Sequence, residues 1–98
     1  MSMKYRDRTE IVNLILRSSN TTQGTSKTRI MYQSFLAYSQ LMEYLSLLMK
    51  NGLLEYTESS RTYKTTERGV RLLQLCDKLH ELIDLRETKK DQRSALTA

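Results

Sequence analysis

No proline interrupts this chain, and its only glycines are Gly24, Gly52 and Gly69. So little backbone punctuation favours helices and excludes a low-complexity linker protein. A single cysteine, Cys76, excludes an internal disulfide framework and suits a reducing cytosol. No apolar run approaches the ~20 residues of a membrane-spanning helix, so a soluble protein without a membrane partner is expected. The opening MSMKYRDRTE lacks the apolar core of a signal peptide, which points to the cytoplasm. One histidine, one cysteine, no phosphate-cradling glycine loop and no clustered carboxylates argue against an enzyme. No cofactor, metal or small-molecule substrate is called for.

What is present fits one domain of 98 residues. A chain of this length buries only about 60–65% of its extended surface, so its core is thin. The apolar fraction is 39% against 28% charged residues, and a partner subunit could supply missing burial. The net charge of +5 is unevenly spread. Lys4, Arg6, Arg8 and Arg17 outnumber Asp7 and Glu10, and Lys27 and Arg29 follow with no acid among residues 18–38. The stretch 39–66 is neutral. A basic excess around the first two helices suits a phosphate-bearing partner.

The order of elements can be read from caps and periods. Asp7 can cap a first helix, with Glu10 three residues later as in a capping box. Ile11, Leu14 and Ile15 share one face, widened by Val12 and Leu16. The polar run SSNTTQG, residues 18–24, ends that helix. A short second helix is expected from Lys27 to Ser34, capped by Thr25 or Ser26, with Ile30 and Met31 inward. Phe35, Leu36 and Ala37 form a turn, and Ser39 is the expected cap of a third helix ending near Asn51. Leu41, Met42, Leu45, Leu48 and Met49 make its buried stripe. Asn51-Gly52 is a stop signal. Leu54 and Tyr56 alternate with Glu55 and Thr57, ESSRT turns, and Tyr63-Lys64-Thr65 returns, so the pair reads as a hairpin.

Thr66 can cap a last helix over residues 67–91, roughly 37 Å long at 1.5 Å per residue. Leu72, Leu75, Leu79 and Leu82 recur at three-four spacing, the pattern of a helix seam, with Leu73, Cys76 and Ile83 beside them. Its second half outruns a domain this small, and a second copy of the same helix is the simplest cover for it. The expected organisation is a winged helix-turn-helix over residues 1–66, a dimerisation coiled coil over 67–91 and a frayed tail over 92–98. The fold class is mainly α with a small β-hairpin wing and a long C-terminal dimerisation helix.

The run SKTRIMY, residues 26–32, together with YL-x-x-L-x-x-x-GLL from Tyr44 to Leu54 and YKTTERG from Tyr63 to Gly69, resembles the small archaeal winged-helix DNA-binding proteins. That group includes Sulfolobus chromatin-associated proteins that dimerise through an antiparallel C-terminal coiled coil. The resemblance covers roughly residues 7–85. It implies a homodimer that binds double-stranded DNA through the helix-turn-helix and wing, a role in transcription regulation or chromatin, a place in the nucleoid, and no enzymatic activity. The C-terminal helix, read over residues 67–91, has no leucine after Leu85, so the coiled coil is expected to be shorter here.

If the third helix enters the major groove, Gln40 could pair with adenine, Glu43 could accept from cytosine, and Tyr44 offers a ring and a hydroxyl. Tyr44 could equally be buried against the core or the wing. This face carries little positive charge, so phosphate contacts must supply the affinity. The candidates are Lys27, Thr28 and Arg29 at the start of the second helix, Lys50 at the end of the third, and Arg61 and Lys64 on the wing, with Lys4, Arg6 and Arg8 nearby. Lys27 and Arg29 stand where the helix dipole disfavours cations, which hints at a use. Leu72, Leu75, Leu79, Leu82 and Ile83 are the expected dimer contacts. Cys76 and His80, four apart, read as core or interface rather than as half of a metal site. The six tyrosines read as core rims, not as a stacking platform. The alternative function is a winged-helix protein-interaction module, suggested by the neutral third helix with Leu47 exposed.

Overall fold

The computed structural model describes residues 7–79, 81 and 82. In order it holds α1 (Arg8–Ser19), β1 (Thr25–Ser26), α2 (Lys27–Ser34), α3 (Tyr38–Lys50), β2 (Leu54–Thr57) and β3 (Thr62–Thr65). A last helix, α4, starts at residue 67 and continues to the end of the described residues. The protein is mainly helical with a small antiparallel sheet, a winged helix fold. Among the described residues no helix is long and apolar enough to cross a membrane. Lys4, Tyr5, Arg6, His80, Ile83, the expected helix beyond residue 82 and the tail at 92–98 lie outside the described residues.

Local signals set most boundaries. The Asp7 carboxylate accepts from the Glu10 amide at 2.8 Å and caps α1. Ser26 does the same for α2 through the Arg29 amide at 3.2 Å. Each such cap satisfies an amide that the helix leaves without a partner, worth about 1 kcal/mol. Gly52, at φ 72°, closes α3. Its amide donates to Met49 O at 3.0 Å while Leu53 N donates to Leu48 O at 2.9 Å, the paired bonds of a Schellman motif. Thr66 Oγ1 accepts from Gly69 N at 3.1 Å and starts α4.

The core is Ile15, Leu16, Ile30, Leu41, Leu45, Leu48, Leu54, Tyr63 and Leu73, one contribution or more from each element except β1. Thr65 Oγ1 donates to Leu16 O at 2.6 Å, and Thr25 Oγ1 donates to Ser18 O at 2.7 Å. These hydroxyls satisfy carbonyls at the end of α1 and seat the sheet on it. Gly69 sits where α4 crosses the chain between α3 and β2, and a Cβ there would stand 2.3 Å from Leu53 O. Arg17 and Asp77 form a hydrogen-bonded ion pair between α1 and α4, both side chains half in solvent.

Several expectations need correction. The polar loop after α1 ends in a strand: Thr25 and Ser26 pair with Tyr63 and Thr62, making a three-stranded sheet in the order β1-β3-β2. The third helix starts one residue before Ser39, with Ala37 in the cap position and no side-chain cap bond. The left-handed backbone of Phe35 closes α2 so tightly that the corner geometry, not a cap, sets where α3 begins. Met49 is exposed, since it lies on the outer edge of the α3 stripe. On α1, Leu14 is only half-buried, whereas Asn13 and Ser19 are buried. Tyr56 is exposed, but its ring rests against Tyr63 with centroids 4.7 Å apart.

Candidate nucleic-acid interface

The wing hairpin pairs Leu54 with Thr65, Glu55 with Lys64, Tyr56 with Tyr63 and Thr57 with Thr62. Side chains alternate across a strand, so Leu54, Tyr56, Tyr63 and Thr65 share the inner face. Glu55 and Lys64 sit opposite one another on the outer face. Arg61, the last turn residue, has φ 54°, and its amide donates to Glu58 O at 3.2 Å. The pairing of β1 with β3 then has a functional consequence. Ser26 opposes Thr62, so the first residues of α2 lie beside the wing.

Between them is an open cavity of about 400 Å³ lined by Ser26, Lys27, Thr28, Tyr56, Arg61 and Tyr63. The first amides of a helix point out of its start and carry the positive end of its dipole. To this the cavity adds an ammonium, a guanidinium and hydroxyls from Thr28 and Tyr56. Lys27 Nζ donates to the Tyr38 hydroxyl at 3.3 Å and stands 5.1 Å from the Tyr38 ring centre. That hydrogen bond, with the nearby phenol oxygens, holds the Lys27 pKa above its usual 10.5. Burial pushes the Tyr63 phenol above its usual 10.0, with Lys27 pulling the other way. At neutral pH the site therefore holds a lysine cation beside the neutral Tyr63 phenol. Between Glu10 and Glu43 the sequence has no acid at all. Such a set of donors suits a phosphate.

The expected contact residues divide into groups. Lys27, Thr28 and Arg61 come together at this cavity. Arg29, also at the start of α2, lines a different, polar cavity with Ser18, Gln23, Thr25 and Gln33. Lys64 projects from the outer face of the wing. Glu43 and Lys50 are exposed, seven residues apart on the outward side of α3. Gln40 is exposed one turn before Tyr44. Tyr44 itself is half-buried against the core, on the flank of α3 that faces α1 and α4. There it lines an apolar cavity of about 280 Å³ with Arg8, Val12, Leu47, Leu72 and Cys76. Tyr38, which holds Lys27, and Tyr56 and Tyr63, which line the wing cavity, were not among the expected contacts. The alternation of the hairpin could have found the last two. Nothing in the sequence brings Tyr38 to Lys27, since that contact depends on how the α2–α3 corner turns.

Along α4, Leu73 is buried and Leu72 packs on the core, while Leu75, Leu79 and Leu82 are 69%, 56% and 60% exposed.

The sequence profile of the winged helix-turn-helix family matches residues 5–84. No curated protein sequence matches the chain. Among solved structures, the chain is similar to Sso10a-2, a DNA-binding protein from Sulfolobus solfataricus, with a TM-score of 0.71 and 25% identity. That likeness covers 95% of this chain and 98% of the other.

Proposed function

The chain belongs to the winged helix-turn-helix family, and from that premise we propose that it binds duplex DNA as a dimeric transcriptional regulator or chromatin-associated protein of the nucleoid. The observation that carries the reading is the cavity where Lys27 and Thr28 meet Arg61 of the wing. It gathers donors for one backbone phosphate between the helix-turn-helix and the wing. With that phosphate gripped, α3 lies along the groove, and Gln40, Glu43 and Lys50 face outward for base or backbone contact. The DNA-binding relative of similar fold supports this assignment.

A second copy completes the protein in this proposal. Residues 67–91 form a coiled coil with their counterpart through Leu75, Leu79, Leu82 and Ile83, while Leu72 holds the helix to residues 1–66. Two-fold pairing would offer two reading helices to half-sites a helical turn apart, or a multiple of it.

Duplex binding measured across a salt series tests the reading. The expected result is strong salt dependence, with Lys27→Ala and Arg61→Ala together flattening the log–log slope by about 0.9 for each phosphate site released. Absence of duplex binding at low salt would sink it. A second reading, a protein-docking module, rests on the apolar cavity under Tyr44 and Leu47. It predicts salt-insensitive capture of a protein partner that Leu47→Ala abolishes.

A further inference from the structure

The helix-turn-helix corner carries three aromatic side chains that the core does not take up, and of these Tyr38 is engaged by Lys27. Tyr32 and Phe35 are each 72% exposed and Tyr38 is 55% exposed, within seven residues of one another. A thin core needs its apolar rings inside, so leaving Phe35 in water forgoes burial. Phe35 also sits at φ 58°, a left-handed conformation that bulky residues avoid and that glycine or asparagine adopts at this kind of helix end. Two separate costs at one exposed position point to a use outside the fold.

The surroundings indicate what the rings meet. Lys27 stands over the Tyr38 ring and also lines the wing cavity with Arg61, so the aromatic corner adjoins the cationic site. The 32 residues between Glu10 and Glu43, which contain the whole corner, bear Arg17, Lys27 and Arg29 and no acid. An apolar protein partner would have no need of that charge. A partner with flat π-faces on a polyanionic backbone needs both features. In a duplex the base faces are covered by their neighbours; in a single strand they are free.

We propose that Tyr32, Phe35 and Tyr38 form a stacking platform for unpaired nucleobases, with Lys27 and Arg61 on the adjoining phosphates, so that the protein holds single-stranded nucleic acid at the helix-turn-helix corner. It shares the cationic cavity with the proposed duplex site but depends on rings that the duplex reading does not require. The surface lies at the edge of that site, which suits a place where a duplex opens into single strands.

Fluorescence anisotropy on the full chain tests the proposal with three probes: a short oligodeoxythymidylate, the matching oligouridylate and a blunt duplex. Phe35→Asn is the informative variant because asparagine accepts the left-handed backbone, and Phe35→Tyr keeps a stacking ring. Phe35→Asn is expected to weaken single-strand binding about five- to hundredfold, the range for loss of one stacked base. Phe35→Tyr should restore it, and blunt-duplex binding should change less than twofold. Tighter binding of one single strand would identify DNA or RNA as the source of the bases. The proposal is overturned if single strands do not bind, or if Phe35→Asn binds them as the unmodified chain does. Equal losses on duplex and single strand would also overturn it, since Phe35 would then belong to the duplex surface. Loss of duplex binding alone would leave this platform standing and remove the duplex reading.

Discussion

The wing cavity and the leucine flank of α4 are finished to different degrees. The cavity closes within one chain: β1 pairs with β3, α2 starts beside the wing, and Lys27 is already held by Tyr38. The flank does not: Leu73 is covered, but Leu75, Leu79 and Leu82 are each more than half exposed. A cation site gains from access to water and a polyanion, whereas apolar side chains in a row gain only when another surface removes them from water. The same thin domain thus offers one surface ready to bind and another that awaits a partner. In the proposed dimer the second surface would fix how two copies of the first are spaced.

The sharpest way to break this contrast is to charge the flank. Leu75→Glu with Leu79→Glu is expected to give a monomer by light scattering and to lower duplex affinity by about 10²–10⁴, as when bivalent attachment is lost. Unchanged mass would mean that the exposed leucines are not the interface. Next in size is the junction that joins α4 to the domain. Gly69→Ala forces a methyl group into the space of Leu53 O, and overpacking of that kind costs about 1–3 kcal/mol. Chemical denaturation should show the loss, and an unaltered midpoint would mean that the crossing of α4 can give way.

The smallest effect separates the cavity from the flank by pH. The Lys27 ammonium and the neutral Tyr63 phenol both have folded pKa values raised above their usual 10.5 and 10.0. For each, the stabilisation is fully present below the usual value and is lost as pH rises through the higher folded one. Thermal midpoints should therefore hold steady through neutral and mildly alkaline pH and fall above about pH 10. Lys27→Met should remove its part of that fall, whereas the charged-flank variant should keep it. An identical alkaline profile for Lys27→Met would detach the lysine from the effect.

Much of this architecture was legible in advance because it rests on contacts between near neighbours. The α2 bounds follow from Ser26 and the apolar Ile30, the end of α3 from Gly52, and the start of α4 from Thr66. What escaped depends on distant pairing. Thr25 and Ser26 are too few to show a strand period, and only β3, almost forty residues later, makes them one. Ser39 has the right chemistry for a cap, yet the left-handed Phe35 moved the helix start ahead of it. Tyr44 stood on the predicted reading helix, but helical rotation turned it toward Val12 and Leu72. The candidate cations were found by charge and position; which of them cluster was not, because strand order decides it.

By itself, then, the sequence determined the type and order of every element but β1, the stop signals and an acid-free basic stretch, since caps, periods and charge act over a few residues. Only the tertiary structure decided that Lys27 and Arg61 share a cavity while Arg29 and Lys64 stand apart, and that Tyr32, Phe35 and Tyr38 remain in water. Those facts depend on how β1 registers against β3 and how α2 turns into α3, and long-range packing sets both.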